Sequence, residues 1–242
     1  MVENAASDPK AVQILSFAVT AGAPAAQLQL EYLQPVDEAK PPAILAEYLS
    51  IPPVRASTLN RTLASDTDML SAQMPAGHRY SFWAGTFKLD RDLMAWMQAL
   101  HAKNVGPLPD QGSLTFQAFT VPALSQMGKK GGNALGLDPA DGPLFHVLLY
   151  MVWDDAAKDD VLNGAAAEFM SAAREEAERR GLGHRYIYMN YAGPYQNVVP
   201  SYGEKNLARL KAVARKYDPT AVYQRLQPGG YKLEGAPYGE AV

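Results

Sequence analysis

The protein has 242 residues, of which 48% are hydrophobic and 19% charged. That is enough apolar matter for a buried core and too little charge for a disordered chain. Lys plus Arg total 22 against 25 Asp plus Glu, so the basic surplus of a nucleic-acid binder is missing. The absence of cysteine excludes a disulfide framework, a thiol nucleophile and a thiolate metal site.

Ala11 to Ala23 is mostly apolar and ends in Ala-Gly-Ala, a loose imitation of a secretory leader. Glu3 and Asp8 make the preceding residues acidic, and Gln13 and Ser16 interrupt the apolar run. The stretch therefore reads as a strand, and a cytoplasmic location is the default expectation. No stretch reaches the ~18 apolar residues that a membrane span requires.

Val12–Thr20 and Ala26–Leu33 are expected as strands joined by a Gly-Ala-Pro turn. In the second, Leu28, Leu30 and Tyr32 alternate with Gln27, Gln29 and Glu31, the period of a half-buried strand. Prolines 35, 41, 42, 52 and 53 bracket a short helix near Ala43–Leu49. Arg79–Lys88 reads as an aromatic-rich strand. Asp90 is a natural N-cap for a helix whose Leu93, Trp96, Met97 and Leu100 share one face.

Ser113–Val121 alternates again, with Gln117 on its polar side, and the almost wholly apolar Leu144–Trp153 predicts a central strand. Leu162, Ala166, Phe169, Met170, Ala173 and Ala177 then define the strongest helix, closed at Gly181. Arg185–Tyr191 reads as a short aromatic strand. Alternation places Tyr186, Tyr188 and Asn190 on one side of it, with Ile187, Met189 and Tyr191 on the other. A last helix, Glu204–Tyr217, stops at Asp218-Pro219. The order of elements predicts an α+β fold: a mostly antiparallel sheet with helices packed on one face, plus a C-terminal strand-helix appendage.

Among the titratable residues, the four histidines lack metal-ligand spacing, so no metal site is expected. His146 interrupts an apolar strand, as a hydrogen-bonded core histidine or one flanking a pocket does. No Gly-x-Ser-x-Gly elbow is present, and Gly128-Lys-Lys-Gly-Gly-Asn133 lacks the spacing of a P-loop.

Several motifs recur in a set order. They are Gly131-Gly132-Asn133-Ala134-Leu135-Gly136-Leu137-Asp138-Pro139, a strand ending Trp153-Asp154-Asp155, Tyr188-Met189-Asn190-Tyr191, Tyr202-Gly203 with Asn206, Lys216-Tyr217-Asp218-Pro219, and Pro228-Gly229-Gly230-Tyr231-Lys232. In that order they resemble the C-terminal half of fungal oxygen-dependent FAD-linked oxidoreductases. These form the berberine-bridge-enzyme-like branch of the vanillyl-alcohol-oxidase superfamily.

The resemblance implies a substrate-binding-like domain over 11–183 and a segment over 184–232 that returns to the flavin domain, with tails at 1–10 and 233–242. It implies that Tyr188 projects toward substrate and flavin as base or substrate binder. Asn190 and Tyr191 are then expected to hold FAD, and Tyr202 and Asn206 to pack near it. Alternation adds Gln117 as a second residue facing the ring. The family's pyrophosphate loop and its Gly-Gly-His attachment lie in the N-terminal half, outside these 242 residues. A flavin-domain partner chain or self-association is accordingly expected. The activity implied is oxidation of a small organic substrate by hydride transfer to flavin, with reoxidation by dioxygen. Alternatives are a flavin-free cyclase or isomerase that folds a polyketide or terpenoid, and a non-catalytic remnant.

Overall fold

The structure is a computed structural model that describes residues 1–20, 23–37, 39–108 and 111–238. Alternation and β-branched or aromatic content build six strands: β1 (Ala11–Thr20), β2 (Ala23–Tyr32), β3 (Arg79–Lys88), β4 (Gln111–Phe119), β5 (Leu144–Trp153) and β6 (Gly183–His184). They form one sheet in the order β2-β1-β4-β5-β3-β6, with every pairing antiparallel. The apolar β5 lies inside it, between β4 and β3. β2 starts at Ala23, so Ala23 and Pro24 are paired in the strand rather than spent on the turn. Pro24 fits because β2 is an edge strand. Gly22, expected in that turn, lies outside the described residues.

The helices are α1 (Ala46–Leu49), α2 (Leu63–Ala72), α3 (Arg91–Asn104), α4 (Val121–Met127), α5 (Asp159–Arg179), α6 (Glu204–Tyr217) and α7 (Val222–Leu226). α3 and α5 cover one face of the sheet. Leu93 and Met97 of α3, with Leu162, Ala166, Phe169, Met170, Ala173 and Ala177 of α5, bury against Trp83, Phe87, Leu114, Phe116, Phe145, Val147, Leu149 and Met151. Truncating a core aromatic such as Phe169 to alanine costs about 3–5 kcal/mol.

Local chemistry sets the helix ends. Asp90 caps α3 by accepting from Leu93 N–H at 2.7 Å. At the end of α5, Gly181 adopts φ +70° and donates to Glu178 O, while Leu182 N–H reaches back to Ala177 O. This is a Schellman closure, and it returns Leu182 to the core. α2 carries no buried residue, which is why no amphipathic stripe announces it; its start is fixed by the Thr62 cap on Ser65 N–H. No helix among the described residues is long and apolar enough to cross a membrane.

The opposite face of the sheet is half covered. Residues 184–202 lie over the Ala84 and Phe119 side, burying Tyr186, Ile187, Val198, Val199 and Tyr202. The expected strand Arg185–Tyr191 does not form. β6 ends at His184, and the chain continues irregularly to a 3-10 turn over Met189–Tyr191. The backbone donors there are taken by side chains instead: Tyr186 N–H donates to His184 Nδ1 at 3.2 Å and Ile187 N–H to Ser201 Oγ at 3.0 Å. The alternation expected of that segment is therefore lost. Tyr186 is sealed in the core and Asn190 is exposed, although both were expected on one face.

Candidate active site

One register row crosses all six strands. It runs Gln29–Ile14–Gln117–His146–Thr86–His184, each residue opposite the next. Side chains in one row share a face, and this is the face opposite α3 and α5. Gln117 and His146 are thus cross-strand neighbours in the middle of the sheet, at the border between its covered and uncovered halves. Over the uncovered half the same face presents Ser16, Thr115, Tyr150 and Phe82. The Ser16 and Thr115 hydroxyls lie 2.7 Å apart, and the Tyr150 ring sits 5.3 Å from that of Phe82.

Three aromatic rings converge on His146. Its ring stacks on Tyr191 at 5.5 Å, tilts against Tyr188 at 5.3 Å and meets Phe119 at 4.9 Å. Tyr188 and Tyr191 contact one another edge to face at 4.9 Å. A polar chain is threaded through the cluster. His146 Nε2 lies 2.6 Å from Gln117 Oε1, and Gln117 Nε2 donates to the Tyr191 hydroxyl at 3.1 Å. Asn190 Nδ2 donates to the Tyr188 hydroxyl at 2.9 Å. Burial pushes the His146 imidazole down to about 4, so it is neutral near pH 7.

Of the residues singled out from sequence, Gln117, Tyr188, Asn190 and Tyr191 are brought together here. Tyr188 and Tyr191 are half-buried and Asn190 is exposed, so the cluster opens outward. Tyr202 and Asn206 sit elsewhere, in a layer behind it. Tyr202 stacks on Tyr186 at 5.9 Å, and burial raises the pKa of its phenol. Asn206 donates to Tyr202 O at 3.0 Å, beside the close approach of Gly136. His146 is the hub that the site residues chosen from sequence omit. Its isolation in an apolar strand was the available signal, but the pairing with Gln117 depends on a register that sequence does not display.

At four helices the N-terminus, where an anion is ordinarily bound, is engaged by the chain's own side chains. Thr62, Asp90 and Thr120 cap α2, α3 and α4 with their own side chains. Asp218 accepts from the first N–H groups of α7. α5 and α6 carry acidic residues in their first turns. Among the described residues no group of His, Cys, Asp and Glu is arranged to hold a metal ion.

No protein-family model matches the chain. It is 31% identical over 191 residues to an FAD-dependent monooxygenase of Fusarium proliferatum, covering 75% of this chain and 37% of that one. To an FAD-dependent monooxygenase of Emericella nidulans it is 29% identical, over 97% of this chain and 50% of the relative. A bifunctional solanapyrone synthase of Alternaria solani is 28% identical over 85% of this chain and 39% of its own. The chain thus spans at most about half the length of these relatives. Among solved structures, an aclacinomycin oxidoreductase superposes with a TM-score of 0.64 at 13% identity, over 90% of this chain and 46% of that one. A berberine-bridge-enzyme-like protein of Physcomitrella patens gives 0.57 at 13% identity, over 87% and 45%. Fungal FAD-dependent monooxygenases are therefore homologues of this chain, and an aclacinomycin oxidoreductase and a berberine-bridge-enzyme-like protein share its fold, each matched over part of its length.

Proposed function

We propose that this chain is the substrate-facing portion of an FAD-linked oxidoreductase that oxidises a small organic molecule in fungal secondary metabolism. The observation that carries the reading is the outward-opening pair of phenols, Tyr188 and Tyr191, at the edge of an uncovered sheet face, each hydroxyl oxygen accepting from a carboxamide. The names of the monooxygenase homologues support the cofactor, and that of the solanapyrone synthase supports a biosynthetic setting.

The ring end and the diphosphate end of FAD fit this chain differently. The face from Gln117 to Tyr150 offers aromatic and hydroxyl groups suited to a planar guest. At α2, α3, α4 and α7 the N–H groups a diphosphate would need are already bonded to side chains, and α5 and α6 place carboxylates where its charge would lie. The reading therefore assigns that end of the cofactor to protein outside the described residues. In this arrangement residues 11–183 form the substrate domain and 184–232 return toward the flavin domain.

The chemistry FAD supplies when bound is acceptance of a hydride, with dioxygen as final oxidant. The chain's own contribution is positioning and proton handling. Tyr188 takes or holds the proton leaving the substrate, with its hydroxyl oxygen fixed by the donation from Asn190 Nδ2. Gln117 and Tyr191 fix the orientation of the substrate. Neutral His146 keeps a competing positive charge away from the cluster.

Titrating lumiflavin and FAD with the protein tests this reading through quenching of flavin fluorescence. The expected result is quenching of both with similar affinity, because the ring supplies the contacts, and weaker quenching for Tyr188→Phe with Tyr191→Phe. Flavin emission that the protein leaves unchanged would sink it.

A further inference from the structure

His146 has one nitrogen in use and one bare. Nε2 approaches Gln117 Oε1 at 2.6 Å, whereas Nδ1 is buried and has no hydrogen-bond partner. The residue directly opposite on β3 is Thr86, whose hydroxyl is likewise buried and unpartnered. A neutral imidazole carries a single N–H. Since a carboxamide oxygen only accepts, that N–H must be at Nε2, and Nδ1 is an acceptor. The consequence runs outward along the cluster. Gln117, with its oxygen held by His146, must turn its NH2 toward Tyr191, and the Tyr191 oxygen then accepts at 3.1 Å. The phenolic proton of Tyr191 is thereby left for something outside the protein. Asn190 treats Tyr188 in the same way, so two phenolic donors stand 4.9 Å apart, ring to ring, at one opening.

Resting on the proposed reading of this site, we propose that His146 is a positioning residue that sets the polarity of the Tyr191 hydroxyl, so that the site takes a planar conjugated compound by its carbonyl oxygen. The reverse tautomer would flip Gln117, make Tyr191 donate inward and present an acceptor to the guest. The proton on His146 thus decides whether the opening recognises a carbonyl or a hydroxyl. Burial supports the arrangement, because a neutral ring has one proton to place and a protonated ring would have two. The imidazole's stacking on Tyr191 and its tilted contact with Tyr188 hold both rings in the orientation the polar chain requires.

The test uses the 242-residue protein without flavin and 4-(dimethylamino)cinnamaldehyde, a neutral planar aldehyde whose visible absorption moves to the red when its carbonyl accepts a hydrogen bond. Wild type is expected to bind it with a red shift. His146→Phe keeps the ring contacts but has no N–H; it should lose the shift and weaken binding about tenfold, the value of one hydrogen bond. His146→Gln, which restores an N–H donor, should recover part of both. Tyr191→Phe removes the hydroxyl from a half-buried ring without disturbing the core, and it should also abolish the shift. A wild type that binds the aldehyde without a red shift overturns the proposal. So does a His146→Phe or Tyr191→Phe protein that retains the full shift. Lumiflavin quenching is read separately, so a failure of the flavin assignment and a failure of this one give different results.

Discussion

The side chain of Gln196 completes the backbone pairing of Ala84. Its Oε1 accepts from Ala84 N–H at 2.9 Å and its Nε2 donates to Ala84 O at 2.7 Å, as a neighbouring strand would. The same oxygen accepts from Gly193 N–H at 3.0 Å. β6 pairs with β3 only at Phe87 and Thr86, so Gln196 takes over where that short strand ends. It also ties residues 193–196 to the sheet, which keeps Tyr188 and Tyr191 over His146.

Replacing Gln196 with methionine, similar in size and unable to hydrogen-bond, should leave three buried backbone groups unpaired and cost about 3–5 kcal/mol. Denaturant unfolding measures this directly. Hydrogen exchange gives a sharper reading, since the Ala84 amide should lose its protection while amides of α5 fall only by the global loss. Unchanged Ala84 protection in the variant would show that the carboxamide is not what closes this edge.

Two glycines predict opposite outcomes. Gly136 has φ +72°, and a Cβ there would overlap the Tyr202 carbonyl oxygen and crowd Arg185 and Asn206. Backbone strain and overlap with an immovable carbonyl act together, so Gly136→Ala should destabilise by about 3 kcal/mol. Gly164 lies within α5 and has nothing within 4 Å of its would-be Cβ. Gly164→Ala should stabilise by about 0.5–1 kcal/mol through helix propensity alone. Thermal melts of the two variants beside wild type check the pair, and a stabilised Gly136→Ala would contradict the packing at Tyr202.

How much of this was legible beforehand follows from the range of each interaction. Phe169 and its partners on α5 were readable because helical periodicity is written in consecutive residues and burial obeys it. The strand β5 was readable because a run with both faces covered is apolar throughout. Arg185–Tyr191 misled because its alternation is real in sequence, yet its N–H groups are captured by Ser201 and His184, residues whose proximity only the fold creates. Alternation put Gln117 on the polar side of its strand, but its hydrogen bond to Tyr191 was not legible, since alternation had placed Tyr191 on the side away from Tyr188 and Asn190. The placement of His146 beside Gln117 needed the β4–β5 register, which depends on pairing across 29 positions of chain. Tyr202 and Asn206 were grouped with the site by motif alone, and the structure places them a layer behind it.

Stability should fall as the medium is acidified from neutrality, and the cause is buried imidazoles, His101 and His146 first among them, with burial lowering His184 in the same direction. His101 on α3 lies edge-on to Phe169, its Nε2 is buried without a partner, and desolvation lowers its pKa to about 4; burial does the same for His146. Each group is depressed in the folded state relative to the ~6.5 of a free imidazole, so the unfolded chain binds more protons between those values. The stability they confer is complete above pH ~6.5 and is lost as pH drops toward about 4, by roughly 3 kcal/mol for each group. Glu176, held near 2 by hydrogen bonds from Arg179 and Arg180, starts to lose its contribution only near the ~4.5 of a free carboxyl, at the acid edge of that window. Urea unfolding at several pH values between 7 and 4.5 should therefore show a steep decline. His101→Leu removes one of these contributions and replaces an unpartnered ring nitrogen with apolar surface, so it should be close to wild type at pH 7 and decline clearly less steeply. Parallel curves for the two proteins would mean that His101 takes up its proton at the same pH in both states, and that its burial against Phe169 does not govern when it does so.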